Sequence, residues 1–426
     1  MAQERVMVIN GTRTPFARAR TVYQNMPPST LGGVVLRETV ARSDLDPTCI
    51  DEVYFGIVSP PADGTNVSRE ALFDSGLPST IPCTTINRYC ASSAEAAAGI
   101  AAKITAGQID IGLAGGVESI SSVRALFSKE STDFFQDFAK AKTPVQKITH
   151  LKNFKPQLLM PHAPGIKEPT TGLTMGQSAD LMAREFKITR EEQDQYAMES
   201  HHKAHQAWER GFYKTHVSPV GTPDGKIVDR DTDIRAESNL EKLASLKPVF
   251  YKDGTITAAN ASPLTDGAAC VLLASESKAR ELKLQSIGHI RAVASAAVDI
   301  KKEPLLIGPA FAIPRALKLA GVSWKDLDLI EMHEAFAAQV LSTIRAIESP
   351  KWAKEKLGLD KAIGEVDRSK LNVNGGSIPL GHPFGATGAR LITQALLELR
   401  ARKKNLCLIS ICAAGGLGTV LVVEAV

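Results

Sequence analysis

Twice in this chain a helix-forming stretch runs into a short apolar strand that stops at a glycine pair. The first copy is residues 91–106, 109–114 and Gly115-Gly116; the second is residues 385–402, 406–411 and Gly415-Gly416. Residues 91–106 are rich in alanine, contain no proline and one glycine, and close at Gly107. Such a run propagates a helix at little entropic cost. The strands that follow are continuous apolar runs, the pattern of strands covered on both faces. A further echo links Leu317-Lys-Leu319, Gly321 and Asp326-Leu-Asp-Leu-Ile-Glu331 to residues 41–54, where Asp46 and Asp51-Glu52-Val53 lead into a strand. Helix, strand and glycine turn in both halves predict an internally duplicated α/β fold, a sheet covered by helices.

Other segments fit this plan. Residues 6–9, 53–58 and 84–87 read as strands, and Ser29 and Thr30 can cap a helix running to about Arg42. Residues 121–250 differ: they are polar and irregular, with Pro144, Pro156, Pro161, Pro164 and Pro169. They hold one clear helix, residues 189–210, opened by Thr189 and Glu192 at capping-box spacing. The expected organisation is a first half of residues 1–120 plus 251–290, an inserted loop domain at 121–250 covering the active face, and a second half at 291–426.

Composition narrows the partners. A net charge of +4 over 426 residues is too small for a dedicated nucleic-acid binder. No run of 18 apolar residues suggests a spanning helix, and residues 1–5 leave no room for a signal peptide before the first strand. The six cysteines are scattered without a Cys-x-x-Cys pair. Neither a disulfide framework nor a zinc site is expected, and a reducing cytoplasm fits.

Four residues can carry chemistry. Cys90 sits where a strand gives way to an alanine-rich helix, and a helix N-terminus favours thiolate. The small neighbours Ala91, Ser92 and Ser93 leave room for a substrate. His382, in Gly381-His-Pro-Phe-Gly385-Ala-Thr-Gly388, is held in a glycine-flanked turn from which an imidazole can serve a thiol as base. Cys412 ends a strand ahead of Gly415-Gly416 and is placed to move a proton. His333, in His333-Glu-Ala-Phe336, follows a strand, where ligand sites of α/β folds lie. Each has a plain structural alternative: a packed core thiol, a turn histidine, or a helix-start pair. Two further features carry less. His201 and His205 have the i, i+4 spacing of a metal pair but lack the glutamate of a zinc-protease motif, so a solvated helix face is expected. Residues 138–167 contain six lysines and no acid, a stretch suited to a solvated surface, a ligand's phosphates, an anionic membrane or an acidic partner subunit.

Taken together the motifs resemble the thiolase superfamily over nearly the whole chain. Asn87-Arg-Tyr-Cys90-Ala-Ser resembles its nucleophile motif, and residues 260–269, Asn-Ala-Ser-Pro-Leu-Thr-Asp-Gly-Ala-Ala, its pantetheine loop. His333-Glu-Ala-Phe, Gly381-His-Pro and Cys412-Ala-Ala-Gly-Gly follow in the expected order. Where many thiolases carry Asn, this chain has His333; where they carry Cys-x-Gly, it has Cys412-Ala-Ala; where they have Gly after the nucleophile, it has Ser93-Ala94. These features resemble the thiolase subunit of trifunctional fatty-acid β-oxidation complexes.

The resemblance implies a thiolase-like fold of two duplicated βαβαβαββ halves forming a layered α-β-α-β-α core. It implies CoA as co-substrate, no tightly bound cofactor and no metal. Cys90 would be the nucleophile, His382 its base, Cys412 the second acid-base group, and His333 the holder of an oxyanion water. Ser262 would touch pantetheine and Arg235 would lie near the adenine end. Implied partners are acyl-CoA and CoA, a second copy of the chain or a higher oligomer, and a hydratase/dehydrogenase α subunit. The resemblance implies cleavage of 3-ketoacyl-CoA; an acetoacetyl-CoA thiolase would look much the same. A condensing synthase is disfavoured by the second thiol, and a homologue that has lost catalysis by the filling of all four positions.

Overall fold

In the computed structural model, which describes residues 4–161 and 167–426, the alternation of strand and helix closes into two copies of one unit. Residues 1–3 and Pro164 lie outside the described residues. The first copy contains β1 (Val6–Arg13), the short β2 (Ala17–Arg18), α1 (Pro28–Ala41), β3 (Glu52–Gly56), α2 (Val67–Ser75), β4 (Cys83–Ile86), α3 (Ser92–Thr105) and β5 (Ile111–Glu118). An insertion follows with α4 (Lys129–Lys140), α5 (Pro144–Leu151), α6 (Met175–Glu185), α7 (Arg190–Glu209), β6 (Val220–Gly221), β7 (Ile227–Val228) and α8 (Leu240–Ala244). The chain then returns through β8 (Thr265–Ser275) and α9 (Glu276–Glu281). The second copy runs through β9 (Gly288–Ala297), α10 (Gly308–Ala320), β10 (Leu329–Met332), α11 (Ala337–Glu348), α12 (Pro350–Leu357), α13 (Ser377–Leu380), α14 (Thr387–Arg402), β11 (Leu406–Ala413) and β12 (Leu417–Ala425).

The duplication is visible in the sheet. Outward from the centre the first half is ordered β1-β8-β5-β3-β4 and the second β9-β12-β11-β10. A parallel bridge from Ile330 to Leu371 stands where β4 stands in the first half. The halves join through antiparallel β1 and β9, at Val6–Ile290, Met7–His289 and Val8–Gly288.

Why these strands are apolar throughout follows from the layers. Along β8, Val271 and Leu273 pack into the central layer, while Cys270, Leu272 and Ala274 pack with α1 and α2 on one outside. Along β12, Leu421 and Val423 face the central layer, and Val420 and Val422 pack with α10 on the other outside. The central layer is made by α3 and α14, through Ala94, Ala97 and Ile100 against Ala389, Ile392 and Leu396. Small side chains let these helices approach closely: a Cβ on Gly388 would lie 2.4 Å from the Ala94 nitrogen. The result is the expected α-β-α-β-α stack, and it brings the starts of α3 and α14 together.

Among the described residues, the stretch between β5 and β8 adds no strand to the main sheet. A buried ion pair ties it to β1: Arg13 Nη1 and Nη2 lie 2.6 and 2.8 Å from the two carboxylate oxygens of Asp231, which also accepts from the Trp208 indole at 3.1 Å. The Thr189 capping box forms, with the Glu192 N–H 3.2 Å from Thr189 Oγ1 and the Thr189 N–H 2.7 Å from Glu192 Oε2. The lysine stretch folds as α4, α5 and their connections. The absence of acids within it does not leave all its lysines unpaired, because acids from α4 reach over. Lys140 pairs with Asp137 at 3.2 Å and Lys155 with Glu130 at 3.5 Å. On the same hairpin Phe135, Val145, Ile148, Leu151, Leu159 and Met160 are exposed.

Candidate active site

The turn after β4 is built to present Cys90. Asn87 Oδ1 accepts the Tyr89 N–H at 2.9 Å. Ser92 Oγ accepts the Arg88 N–H at 2.9 Å and donates to the Tyr89 carbonyl at 2.6 Å. Held this way, Tyr89 takes a left-handed conformation, φ 47°, which costs an aromatic residue about 1–3 kcal/mol. Cys90 then sits one residue ahead of Ala91, the N-cap of α3, half-buried.

The two histidines arrive from the other half. His333 follows β10, its N–H on the Ser410 carbonyl at 2.8 Å. His382 follows Gly381, whose φ of 99° and close approach to Thr265 admit only glycine comfortably. The imidazole rings lie 4.1 Å apart between centroids. One donor atom from each of Cys90, His333 and His382 falls within 4.8 Å of the others. Such a set could also hold a soft divalent cation, which would tie up the thiol. The Nδ1 atoms are engaged outward, His333 on Ser377 Oγ at 2.9 Å and His382 on Thr387 Oγ1 at 2.6 Å. Among the described residues both Nε2 atoms are buried without a partner. Two unpartnered ring nitrogens beside a thiol are free to meet a substrate oxygen or a sulfur proton.

Burial sets the resting charges. It is the main cause that pushes the Cys90 thiol up to about 12, with the Glu118 carboxylate adding to the rise and an Ala414 N–H directed at the sulfur opposing it. Burial, then the Arg390 guanidinium, brings His382 down to about 3. Burial, then His382 and Arg390, holds His333 well below its ordinary value. The resting site is therefore a neutral thiol beside neutral imidazoles. The helix-start argument for a preformed thiolate is overridden, because one half-dipole cannot repay desolvation of the anion.

Cys412 lies at the end of β11, buried; burial and then neighbouring Cys90 hold its thiol well above normal. Ser262 is brought to the same region: its N–H donates to the Ala335 carbonyl at 3.0 Å, and Leu264 bridges to His382. Arg235 is exposed beside α7, its N–H on His201 Nδ1 at 3.1 Å; no contact among the described residues joins it to Cys90. Of the pair His201 and His205, His205 is half-buried and His201 is not on the solvated face expected. His201 is buried and accepts that N–H, while His202 Nε2 lies 2.9 Å from the Ser238 carbonyl. They fasten α7 to the loop after it.

Two carboxylates escaped the sequence reading as site residues. Glu118 is buried at the end of β5, where it accepts the N–H groups of Val58 at 3.0 Å, Ser59 at 2.9 Å and Gly385 at 3.1 Å. Ending the strand at the glycine pair hid it. Glu334, noticed only within its motif, accepts from Tyr196 at 2.9 Å, Ser200 at 2.8 Å, Asn372 at 2.8 Å and the Ile378 N–H at 3.1 Å. It binds α7 of the insertion to the segment behind His333.

Layered halves that meet at one thiol, two neutral imidazoles and a second thiol define a class: an α/β protein with a cysteine-centred site able to carry an acyl group as a thioester. Residues 6–277 match the family described as Thiolase, N-terminal domain, and residues 284–425 match Thiolase, C-terminal domain. The chain belongs to the thiolase family. It is 45% identical over 423 residues to a 3-ketoacyl-CoA thiolase of Vibrio cholerae, covering 99% of this chain and 97% of that one. It is 45% identical over 427 residues to a 3-ketoacyl-CoA thiolase of Aeromonas salmonicida, with the same 99% and 97% coverage. Two solved structures match over 100% of both chains: Bacillus anthracis acetyl-CoA acetyltransferase, TM-score 0.85 at 33% identity, and human mitochondrial 3-ketoacyl-CoA thiolase, TM-score 0.83 at 28% identity.

Proposed function

We propose that this chain is a 3-ketoacyl-CoA thiolase, an acyltransferase that cleaves 3-ketoacyl-CoA with CoA to acetyl-CoA and a shortened acyl-CoA in fatty-acid β-oxidation. The observation that carries this reading is the meeting of Cys90, His333 and His382 within 4.8 Å, in a chain 45% identical to 3-ketoacyl-CoA thiolases. His382, neutral at working pH, takes the Cys90 proton as the sulfur attacks the 3-keto carbon. Carbon–carbon cleavage leaves acyl-Cys90 and the acetyl-CoA carbanion, which Cys412 protonates. The thiol of free CoA then gives its proton to the Cys412 thiolate and takes the acyl group, and the His382 imidazolium returns its proton to the departing Cys90 sulfur. One oxyanion site uses His382 with a water held by His333; the other uses N–H groups near Cys90 and Ala414. Ser262 touches pantetheine and Arg235 lies toward the adenine end. CoA is a co-substrate and not a resident cofactor.

The test is thiolysis across 3-ketoacyl-CoA lengths from about four to sixteen carbons. Turnover rising with length supports the β-oxidation reading. Turnover of the four-carbon substrate alone supports the second reading, an acetyl-CoA C-acetyltransferase, which the Bacillus anthracis likeness at 33% identity favours. No thiolysis at any length rejects both.

The working organisation is two halves, residues 1–120 plus 251–290 and 291–426, with residues 121–250 inserted over the site. Among the described residues no helix is long and apolar enough to cross a membrane; we place the protein in the cytoplasm. It works as a homodimer or higher oligomer, for which β4, half-buried at the outer end of the sheet, offers an unpaired edge.

The α4–α5 hairpin serves association with a hydratase/dehydrogenase α subunit or an anionic membrane, and not catalysis. Lys142, Lys147 and Lys152 stand there beside exposed Val145, Ile148 and Leu151. Near an anionic surface each lysine contributes about 1 kcal/mol. Replacing Lys142, Lys147 and Lys152 by glutamine is expected to weaken co-sedimentation with anionic vesicles or co-purification with the α subunit, most at low salt. Thiolysis of a short substrate should hardly change. A large rise in KM for CoA with association intact would instead assign these lysines to the CoA phosphates.

A further inference from the structure

Sequence motifs leave open how the chain tells its two site histidines apart. Each is buried, each engages Nδ1 with a hydroxyl, and among the described residues each leaves Nε2 without a partner in the cluster with Cys90. Their roles in the proposed reaction differ: His333 only donates, to a water oxygen, whereas His382 must accept the thiol proton before it can donate to an oxygen. The difference lies in what each hydroxyl does next.

Ser377 Oγ has two contacts among the described residues. One is His333 Nδ1 at 2.9 Å; the other is Arg390 Nη2 at 2.8 Å. A guanidinium only donates, so one lone pair of the hydroxyl is taken by Arg390. If His333 Nδ1 also donated, the Ser377 proton would be left with no acceptor in a fully buried site, a loss of about 1–3 kcal/mol. The satisfied arrangement has Ser377 donating to Nδ1, which puts the ring proton of His333 on Nε2. Thr387 is wired the other way. Its Oγ1 is 3.2 Å from the Pro383 carbonyl, which only accepts. With the hydroxyl proton spent there, Thr387 accepts from His382 Nδ1 at 2.6 Å, leaving the Nε2 lone pair of His382 bare.

Arg390 is costly otherwise. It is buried close enough for its charge to lower both imidazoles, and its Nε and Nη1 have no partner among the described residues. Burial works against its charge and lowers its pKa, only partly opposed by Glu331, which is itself fully buried and accepts from Gln394 at 3.2 Å. A buried guanidinium with one clear hydrogen bond, spent on the hydroxyl that faces His333, is not a packing choice.

We infer that Arg390 and Ser377 are positioning residues that hold His333 as its Nε2–H tautomer, so that His333 can only donate, while the resting His382 can only accept until it has taken the Cys90 proton. This makes the imidazole at 333 equivalent to a fixed amide donor. The inference rests on the reading of the site as a thiolase, but its first test does not. In the full-length protein with nitrogen-15 histidine, assigned through the His333→Asn variant, ring correlation spectra report each tautomer without substrate. His333 is expected as Nε2–H in the wild type and as a mixture in Ser377→Ala. Wild-type His333 found as Nδ1–H, or a Ser377→Ala spectrum unchanged at His333, overturns the inference, and the wild-type measurement needs no variant at Ser377 to fold.

The second test is kinetic. Ser377→Ala is expected to lower kcat for thiolysis about tenfold with little change in KM for CoA, below the 10²–10³-fold loss of an oxyanion donor removed outright. In a His333→Asn background, where no tautomer remains to be set, the same substitution should cost nothing further. An equal tenfold loss in both backgrounds makes Ser377 a packing residue and overturns the inference. A wild-type protein without thiolysis sinks the functional reading, and leaves the spectra to decide the tautomers on their own.

Discussion

Replacing Cys90 by alanine is expected to lower thiolysis by about 10⁴-fold or more, because the covalent step has no second nucleophile to fall back on. Brief exposure of the wild type to acyl-CoA should leave one acyl group on the peptide containing Cys90, read by mass spectrometry. Label on Cys412 with Cys90 clean would reverse the two thiol roles. The resting charges add a pH dependence whose sign is fixed. The thiol is held near 12 mainly by burial and then by the Glu118 carboxylate, so the thiolate fraction of the free protein grows as pH rises and does not level off near neutrality. Alkylation of Cys90 by iodoacetamide should climb about tenfold per pH unit between roughly pH 7 and 10. Glu118, raised to about 7 chiefly by its own burial, is charged only above that pH. Glu118→Gln therefore lowers the thiol pKa and speeds alkylation above neutrality, with little effect below about pH 6. A plateau in wild-type alkylation below about pH 8 would mean a preformed thiolate–imidazolium pair, and the neutral-pair account would fall.

The parts of this molecule legible in its sequence were those set by local periodicity and by short motifs. The alanine run at 91–106 becomes α3, Ser92–Thr105, since alanine has no competing conformation to pay for. Thr189 and Glu192 mark the start of α7 because a capping box is chemistry between neighbours. The duplication shows through the repeated helix-then-strand order and not through a shared glycine turn, since Gly415-Gly416 turn between β11 and β12 whereas Gly115-Gly116 are paired residues inside β5. The hidden parts depend on distance. Glu118 looks like a residue after a strand until Gly385, 267 positions away, donates to it. Arg390 belongs to none of the motifs, and nothing nearby in sequence shows that α14 lies in the central layer. His201 reads as solvated because α7 is polar overall, yet the loop carrying Arg235 folds back over it. A buried charge takes its meaning from partners brought together by tertiary packing, and no window of 10 or 20 residues contains them.

Cys412→Ser is expected to divide the reaction at its middle. Cys90 should still take an acyl group from acyl-CoA, because His382 and the Ala414 N–H that serve that step are untouched. Exchange of the α-protons of acetyl-CoA with solvent should fall by about 10²–10⁴-fold, the usual contribution of a positioned acid-base group. The direction follows from softness and acidity: a serine hydroxyl at this buried site is far harder to ionise than a thiol already held well above its ordinary value. Cys407 supplies the comparison. It lies on the same strand, is equally buried and free, and packs in the central layer beside Ile409, whereas Cys412 packs with the outer layer. Cys407→Ser should destabilise the fold by about 1–3 kcal/mol through a buried hydroxyl, and should leave exchange per folded molecule intact. If Cys412→Ser behaves the same way, exchanging at the wild-type rate, then Cys412 is a core residue too. The base must then be sought among the groups around Cys90, with Glu118, raised to about 7 and close enough to bias that thiol, the first to replace.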